Sequence, residues 1–243
     1  MAVSDRGRTV SQASRNETRP VVADQVQELI ISQGLRPGDP MPTEVELGEA
    51  LSVSRSSIRE AIRVLASLDI VDVRHGHGTF VGQMSLAPLI SGLMFRARMN
   101  LHNDLRTLRE VVQVRIALDL FITDDLIKAH RTVDHTELEA IVQRMERRAH
   151  AGESFAEDDS AFHSALLTPL GNELIHQLVL AFWEVHTAAL PELGIRPARD
   201  ILDTVRAHQA MLDALKAADA NAYREAVREH YRPLQRALAE HDS

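Results

Sequence analysis

The stretch LRPGDPMPTEVELGEALSVSRSSIREAIRVLASLDIVDVRHGHGTFV (residues 35–81) predicts how the first part of the chain folds. Thr43 and Glu46 have the spacing of a capping box, which favours a helix that opens at this point. Ser54 is a suitable N-cap for the helix that follows. The apolar residues of that second helix share one face, and they are Ile58, Ala61, Ile62 and Leu65. Two helices separated by a short turn are therefore expected.

A further helix and a hairpin flank these two helices. Residues 22–32 carry apolar side chains at helical spacing and run into the Gly- and Pro-rich segment GLRPGDPMP (34–42). Residues 70–81 are rich in β-branched side chains, and Gly76 and Gly78 predict a tight hairpin there. Three helices followed by a hairpin match the winged helix-turn-helix plan, in which the third helix enters the major groove of DNA. A small helical domain whose hairpin binds nothing is the alternative.

The composition excludes several classes of function. The chain has 243 residues and no cysteine, which excludes disulfides, thiolate metal sites and cysteine catalysis, and favours a reducing, cytoplasmic location. No run of about 18 apolar residues occurs, so we expect no contact with a membrane. Because the net charge is −8, any contact with DNA depends on a local basic face and not on the charge of the whole chain.

The rest of the chain has the pattern of an all-helical bundle. Helical periodicity recurs over residues 104–128, 134–150, 155–167, 172–189, 200–217 and 220–240. We therefore expect a mostly α-helical protein with four parts, namely a disordered arm (1–19), a winged helix-turn-helix DNA-binding domain (20–83), a linker with a short helix (84–102), and a helical bundle (103–243).

Three motifs in residues 35–81 resemble the DNA-binding domain of the GntR transcription regulators. They are LxPGxxxPTExxL, VSRxSIREAIRxL and GxGTFV, in this order. The helical second part resembles the FadR-type branch of this family, whose effector-binding bundle is called the FCD domain. The resemblance implies that residues 103–243 bind an effector and form a homodimer, and that the partner of the first domain is double-stranded operator DNA.

The same resemblance implies which residues contact DNA. Arg55 and Arg59 lie four apart on one helix face and suit bidentate contacts with guanine or phosphate. Serine hydroxyls and helix N-terminal amides suit phosphate oxygens. The implied contact residues are Ser54, Arg55, Ser56, Ser57 and Arg59 in the third helix, and His75 and Gly76 in the wing. Val45 departs from the family, which usually has an arginine there, and this change would shift the operator preference or weaken the affinity for DNA.

Four residues of the helical part have a spacing that suits a metal site. Asp159 and His163 lie at i and i+4 on one helix face, close enough to chelate one ion. His208 and His230 fall at nearly the same height in the last two predicted helices, if these run antiparallel and turn near Ala218. One carboxylate and three imidazoles suit a divalent metal ion, zinc first, with nickel or manganese as alternatives. The resemblance supports the site, because metal-binding members of the branch carry an Asp-x-x-x-His pair followed by two later histidines.

Two further polar residues are candidates for effector binding. Arg115 occupies a position where family members often place an inward arginine, and a buried guanidinium needs an anionic partner. That partner is either a ligand carboxylate or Asp119, four residues further on. His186 is either a polar group of the effector cavity or a solvated or capping histidine. The remaining histidines singled out in the sequence are expected at the surface, and they are His102, His130, His135, His150, His176 and His241.

The predicted function is a metabolite-responsive transcription regulator and not an enzyme. A small organic acid bound near the metal would shift the dimer between states that bind DNA and states that do not, and repression relieved by the effector is the expected behaviour. Two alternatives stay open. One is a metal-dependent, hydrolase-like enzyme, for which the sequence offers ligands but no separate general base. The other is a DNA-binding protein without an effector, which would leave the metal-site residues without a role.

Overall fold

The computed structural model describes residues 22–99, 105–192 and 201–240. It confirms the expected mostly α-helical fold with one small sheet of two strands. The predicted arm over residues 1–19 lies outside the described residues. The chain divides into two compact units on either side of the bond between Pro88 and Leu89, which lies in the stretch predicted as a linker. Within the described ranges, no helix is both long enough and apolar enough to cross a membrane.

The first unit consists of three helices followed by a hairpin. Its elements are α1 (22–32), α2 (Glu44–Leu51), α3 (Arg55–Ser67), β1 (Val71–Arg74) and β2 (Gly78–Val81). One apolar core joins all of them, with Val26 from α1, Leu47 from α2, Ile58 and Leu65 from α3, and Val71 from β1 among its buried side chains. The order and bounds follow the pattern predicted from residues 35–81.

The predicted capping residues begin both helices of the helix-turn-helix. The hydroxyl of Thr43 accepts a hydrogen bond from the backbone N–H of Glu46 (3.3 Å), while the Glu46 carboxylate accepts one from the Thr43 N–H (2.8 Å). This reciprocal pair is the capping box. At α3 the Ser54 hydroxyl accepts from the Ser57 N–H at 3.2 Å. Local sequence therefore fixes where α2 and α3 start, and the apolar face of α3 then fixes its rotation about its axis.

The hairpin closes through a turn that only a flexible backbone can make. β1 and β2 are antiparallel, with Val71 opposite Val81 and Arg74 opposite Gly78. Gly76 and Gly78 have φ angles of 77° and 104°, in the left-handed region that favours glycine. The hairpin projects from the core, so its turn residues are exposed.

The second unit is built from helices alone in its described part. After α4 (Ala87–Met99), which spans the boundary between the units, come α5 (Arg106–Phe121), α6 (Thr123–Ala129), α7 (Thr136–Ala151), α8 (Ala156–Leu167), α9 (Glu173–Glu192), α10 (Ile201–Lys216) and α11 (Ala220–Glu240). Its core includes Leu126, Met145, Phe162, Leu212 and Val227. Five of the six helical segments predicted from the sequence correspond to single helices.

The remaining segment, predicted as one helix over residues 104–128, is two helices that meet at Ile122. The Thr123 hydroxyl donates a hydrogen bond to the carbonyl of Asp119 (3.2 Å) at this point. Such back-bonding bends helices, and the β-branched pair Ile122 and Thr123 adds crowding against the preceding turn. The apolar pattern continues across the break, which is why periodicity alone did not reveal it.

Three helices bring the metal-site candidates together. α8 carries Asp159 and His163, and α10 and α11 pack along each other as an antiparallel hairpin that turns at Ala218, whose φ is 53°. The Asp219 carboxylate accepts hydrogen bonds from the N–H groups of the first turn of α11 at 2.9 Å and so fixes where that helix starts. This short turn sets the relative height of every residue on the two helices.

Candidate functional site

The predicted DNA-contact residues lie on the exposed face of α3. Arg55, Ser56 and Arg59 are exposed, whereas Ile58 is fully buried. Because α3 buries its apolar stripe in the core of the first unit, its polar residues face away from that core. The arrangement presents two guanidinium groups and the helix N-terminus on one surface, which suits contacts with a phosphate backbone and base edges.

The three serines at the start of α3 form a small hydrogen-bonded group. The Ser54 hydroxyl lies 2.8 Å from the Ser56 hydroxyl and 2.9 Å from the Ser57 hydroxyl. Ser54 also caps the helix, so it has a structural role besides any contact with DNA. The other two hydroxyls keep a lone pair each for other donors or can donate their own proton to a phosphate.

An ion pair joins the two helices of the helix-turn-helix at this surface. The Arg59 Nε atom lies 3.7 Å from a carboxylate oxygen of Glu44 on α2, and both side chains are exposed. Exposed pairs of this kind contribute little, so Arg59 can leave Glu44 for a phosphate at small cost. Val45, the departure from the family pattern, follows Glu44 directly and is itself exposed, at 39%.

The wing residues His75 and Gly76 are both exposed in the turn between β1 and β2. The Arg74 guanidinium stacks over the Phe80 ring at 4.1 Å and hydrogen-bonds the Asp72 carboxylate at 2.8 Å. These contacts brace the hairpin just below its tip. A braced hairpin with an exposed tip suits insertion into a groove, which is the role that the family resemblance implies for these two residues.

The second unit brings the four predicted metal ligands together. Asp159, His163, His208 and His230 offer ligand atoms that all lie within 4.8 Å of one another. The His208 and His230 rings are 4.5 Å apart, centroid to centroid, as expected for facing positions of an antiparallel pair. The three histidines are buried and Asp159 is half-buried, and His208 has no exposed surface. Spacing along α8 and the height match between α10 and α11 thus identified a real cluster.

The hydrogen bonds of His208 require a proton or a metal ion between it and Asp159. The Nδ1 atom of His208 lies 2.8 Å from the Thr204 carbonyl, which can only accept, so Nδ1 carries the proton. In the neutral ring Nε2 then has a lone pair, and it points at the Asp159 Oδ1 atom from 2.8 Å. Two lone pairs at this distance repel unless a proton or a metal ion lies between them. The Thr204 contact is also the kind of outer hydrogen bond that orients histidine ligands of metals.

The pKa shifts of Asp159, His163 and His230 favour the forms that bind metals. Burial lowers the pKa of His163 and of His230 well below the ordinary value, with further lowering from neighbouring positive charge. Burial alone would raise the pKa of Asp159, but its interactions with His208, His163 and His230 outweigh this, and the pKa lies well below its ordinary value. Neutral imidazoles and an ionised carboxylate are the forms that coordinate metals.

Several buried atoms of the cluster have no hydrogen-bond partner among the described residues. They are Asp159 Oδ1, His163 Nδ1 and Nε2, His208 Nε2 and His230 Nδ1. Buried polar atoms are nearly always paired in folded proteins, so a set of unpaired atoms that converge on one point calls for a ligand. A divalent cation satisfies the carboxylate oxygen and one nitrogen of each ring at once. The residues present therefore fit a metal ion.

Arg115 is buried next to this cluster with most of its donors unused. It is 1% exposed, and within the described ranges its Nε and Nη2 atoms have no hydrogen-bond partner. Its Nη1 atom lies 3.4 Å from the His186 Nδ1 atom. The His186 Nδ1 atom, however, lies 3.0 Å from the Phe182 carbonyl and must donate its proton to it. It therefore cannot also accept a hydrogen bond from Arg115. The guanidinium is held in place without being satisfied.

Asp119, the alternative partner for Arg115, is engaged elsewhere. The Tyr231 hydroxyl donates to the Asp119 Oδ2 atom at 2.5 Å. Burial raises the pKa of Asp119, although the charge of Arg115 acts against that shift. The guanidinium instead lies over the Tyr231 ring, with its central carbon 5.4 Å from the ring centroid. An ion pair with Asp119 therefore does not account for the buried Arg115.

His186 lies on the same side of α9 as the cluster and is neutral at physiological pH. Burial, followed by the charge of Arg115, lowers the pKa of His186 to about 4. Since Nδ1 carries the single proton, Nε2 is an acceptor. A ligand hydroxyl could donate to it. His186 is therefore buried beside Arg115 and is not a solvated histidine.

Sequence reasoning missed one residue that contacts the cluster, and it misplaced another residue of the second unit. The Trp183 indole N–H donates to the Asp159 Oδ2 atom, so a residue of α9 holds a candidate metal ligand of α8. The expectation that His130 is a surface residue is wrong. Its Nε2 atom lies 2.8 Å from the Leu166 carbonyl, its Nδ1 atom lies 3.1 Å from His135, and the residue is 1% exposed. Trp183 and Asp159 are 24 residues apart on different helices, so no local spacing signals their contact.

Two protein-family models match the chain and together cover most of it. The model described as "Bacterial regulatory proteins, gntR family" matches residues 18–81. The model described as "FCD domain" matches residues 110–233. The first match contains the predicted winged helix-turn-helix, and the second contains all four residues of the metal-site cluster together with Arg115 and His186.

Individual relatives are regulators of transcription. The chain is 40% identical over 103 residues to a putative transcriptional regulatory protein, NedR, of Micromonospora viridifaciens, an alignment that covers 42% of this chain and 74% of the relative. It is 24% identical over 191 residues to the galactonate operon transcriptional repressor of Escherichia coli, covering 79% and 83%. A solved GntR structure from Streptococcus agalactiae superposes with a TM-score of 0.64 at 28% identity, covering 89% of this chain and 98% of that one.

Proposed function

We propose that this chain, which belongs to the GntR family of bacterial regulatory proteins and has an FCD domain as its second part, is a repressor of transcription. It would bind operator DNA as a homodimer and release the DNA when a small carboxylate binds beside a divalent metal ion. It is a transcription regulator of the GntR/FCD type. The matching families and the relatives named above are regulators, which confirms the expectation that the chain is not an enzyme.

The DNA-contact proposal rests on the exposed face of α3 and on the wing. Arg55 and Arg59 would contact bases or phosphates, the serines at the start of α3 would contact phosphates, and His75 and Gly76 would enter the minor groove. All of these residues except the half-buried Ser57 are exposed, and this exposure and the weak ion pair of Arg59 support the assignment. The exposed Val45 would meet DNA with an apolar surface, which suits a thymine methyl group better than a guanine edge.

The metal proposal rests on the lone pairs that converge at Asp159. Asp159, His163, His208 and His230 would hold one divalent ion, and three imidazoles with one carboxylate suit zinc, with nickel or manganese as alternatives. When bound, such an ion supplies a Lewis-acidic coordination position for an oxygen of the effector. The chain contributes the orientation of the ligands, for instance through the bond between the His208 ring and the Thr204 carbonyl.

The effector proposal rests on one observation, the free edge of the Arg115 guanidinium. Nε–H and Nη2–H lie on the same edge of the group, and both lack a partner in the described part of the chain. This edge is the fork that takes the two oxygens of a carboxylate. A carboxylate there would satisfy both donors and neutralise a buried charge. His186 would accept from a hydroxyl of the same molecule, which favours hydroxy acids and sugar acids.

One relative supports both the direction of the response and the chemistry of the effector. The Escherichia coli protein described above is named as a repressor of a galactonate operon, and galactonate is a sugar acid. A repressor without an effector is the competing proposal. It would leave a buried, unsatisfied guanidinium in the structure without compensation, which is costly.

The test for the effector is a thermal-shift screen of zinc-loaded protein against small carboxylates. A ligand present at about 100 times its Kd should stabilise the protein by about 3 kcal/mol and raise the melting temperature. The same ligand should release a DNA fragment selected from a random pool by the protein. Arg115→Met should weaken binding at least about 150-fold, because two charge-assisted hydrogen bonds contribute about 3 kcal/mol or more. Arg131→Met, at an exposed arginine of the same unit, is the matched control and should bind normally.

The metal is tested separately by elemental analysis. The purified protein should carry about one divalent ion per chain, and the double variant His163→Ala with His208→Ala should carry none. His150→Ala with His176→Ala removes two histidines outside the cluster and should keep full metal content. Equal metal content in both double variants would refute the proposed ligand set, whatever the outcome of the carboxylate screen.

A further inference from the structure

We infer that Trp183 is a positioning residue of the metal site, which holds Asp159 so that a single carboxylate oxygen, Oδ1, is offered to the ion. The inference rests on the proposed metal centre and goes beyond the four ligands themselves. It assigns a function to the indole N–H of Trp183 on α9, a group that has no role in a site made of the four ligands alone.

The carboxylate of Asp159 has two oxygens in different surroundings. The Trp183 indole N–H donates a hydrogen bond to Oδ2. Oδ1 faces the ring nitrogens, 2.8 Å from His208 Nε2 and 3.8 Å from His163 Nε2. Among the described residues, Oδ1 is one of the buried atoms without a hydrogen-bond partner, whereas Oδ2 is occupied by the indole. The two oxygens are thus already divided between an outer partner and the space that the ion would fill.

An N–H donor on Oδ2 disfavours binding of the ion through both carboxylate oxygens. The indole N–H carries a partial positive charge, so a cation close enough to share Oδ2 would be repelled by it. A carboxylate that binds through one oxygen occupies one coordination position and leaves a further one for another molecule. Sites that act on a ligand need such an open position, whereas closed sites serve only structure.

Helix α9 places this donor rigidly. It packs against α5 and against α8, which carries Asp159. His186 lies one turn after Trp183, and the two rings meet edge to face with centroids 6.4 Å apart. The same helix therefore contacts Asp159 on the metal side through Trp183 and Arg115 through His186. A tryptophan has only two side-chain torsions, so its N–H is well defined once the ring is packed.

The competing explanation is that the carboxylate only satisfies the indole N–H. Buried tryptophans usually find a hydrogen-bond partner for that group. In that case, removing the N–H would change the stability of the fold and leave the coordination of the ion unchanged. The two explanations therefore differ in the geometry at the metal, which can be read with a spectroscopically active ion.

The experiment uses Co²⁺ as the probe with the full chain. Trp183→Phe keeps an aromatic ring and removes the donor. Because Trp183 is the only tryptophan of the chain, replacing tryptophan by its benzothiophene analogue exchanges N–H for sulfur at this one position with the ring shape retained. Affinity is measured by competition with a chromophoric chelator, and coordination by the visible absorption spectrum of bound Co²⁺, which depends on ligand number and geometry.

Both changes at Trp183 should weaken Co²⁺ binding about 10- to 100-fold, the usual effect of removing an outer-shell partner of a metal ligand. The spectrum should also shift towards a higher coordination number, because the freed Oδ2 can join Oδ1 at the ion. Tyr223→Phe is the matched control. It removes a polar group from a buried aromatic side chain on α11, two turns before His230, and should leave affinity and spectrum unchanged.

The outcomes separate this inference from the metal centre on which it rests. If the unmodified protein binds Co²⁺ and both Trp183 changes leave affinity and spectrum as they are, the positioning role is wrong while the metal centre stands. If the Trp183 changes alter only the stability of the fold, the positioning role is likewise wrong and the metal centre stands. If the unmodified protein binds no Co²⁺, the metal centre is wrong and the positioning role fails with it. The benzothiophene form keeps the test valid if Trp183→Phe does not fold.

Discussion

Replacing Arg115 by methionine should stabilise the protein in the absence of a carboxylate and abolish its response to one. Arg115 is almost fully buried, and its Nε and Nη2 atoms have no hydrogen-bond partner within the residues that the structure describes. A buried donor without a partner costs about 1–3 kcal/mol, so the two destabilise the folded state by about 2–6 kcal/mol. Methionine fills a similar volume with an unbranched, apolar side chain.

Two favourable interactions of Arg115 are lost in the same substitution and reduce the gain. The guanidinium over the Tyr231 ring contributes about 1 kcal/mol, and its attraction to Asp119 adds to this. Replacing buried ionic groups by well-packed apolar side chains of similar volume has stabilised proteins by about 1–4 kcal/mol. We expect Arg115→Met to fall in that range, as a trade of function for stability.

The assay is urea denaturation at pH 7 with no carboxylate present, followed by the fluorescence of Trp183. Because this tryptophan is the only one in the chain and belongs to the second unit, its signal reports the unfolding of that unit. The midpoint should rise with an unchanged slope. Arg131→Met, an exposed substitution, should change the stability by less than about 0.5 kcal/mol. A loss of more than about 1 kcal/mol in Arg115→Met would mean that the guanidinium is paired in the ligand-free protein, and would refute the reasoning.

Three further predictions concern other parts of the molecule. Burial holds the pKa of His186 near 4, below its value in the unfolded chain. The free energy of unfolding should therefore fall as the pH drops from 7 to 5, by about 2 kcal/mol from this residue alone. Urea denaturation at both pH values should show a smaller fall in His186→Asn than in the unmodified protein. Arg59→Ala should abolish sequence-specific DNA binding, measured by fluorescence anisotropy, without changing metal content, and retained tight binding would exclude α3 as the recognition helix. Gly82→Ala should destabilise the first unit by several kcal/mol, because the alanine Cβ would lie 2.2 Å from the Asp69 carbonyl oxygen. Circular-dichroism melts measure this effect, and a melting temperature equal to that of wild type would contradict the close packing.

The first unit could be predicted almost completely because its signals are local. The capping pair Thr43 and Glu46, the cap Ser54 and the hairpin glycines each act within a few residues of the structure that they determine. The break between α5 and α6 could not be predicted in the same way. Ile122 and Thr123 carry apolar and β-branched side chains that suit a continuous helix, and only the hydrogen bond to the Asp119 carbonyl reveals the bend.

The cluster of metal-site residues was predictable to the extent that helix geometry fixes distances. Asp159 and His163 share a helix, and His208 and His230 lie on helices joined by a turn short enough to set their relative height. His130 shows the limit of this reasoning. Its neighbours Leu166 and His135 satisfy both ring nitrogens, so a residue that looks like a surface histidine in the sequence is buried. Burial of a polar residue depends on hydrogen-bond partners in other parts of the fold, and sequence periodicity does not predict which residues these are.

The contacts that would control the response to an effector join residues that lie far apart in the sequence. Asp119 is held by Tyr231, 112 positions further along the chain, and Asp159 by Trp183, 24 positions away on another helix. Each contact gives one carboxylate a partner and so leaves something else unpaired: Arg115 in the first case and the Oδ1 atom of Asp159 in the second. Both unpaired groups lie in the second unit beside His186 and the histidine cluster, one cationic and one anionic. A molecule that carries a carboxylate and also binds a metal ion would satisfy both, whereas a carboxylate without the ion would meet the anionic Asp159. We therefore expect the affinity for the effector and the affinity for the metal to be coupled, and by equal amounts in both directions.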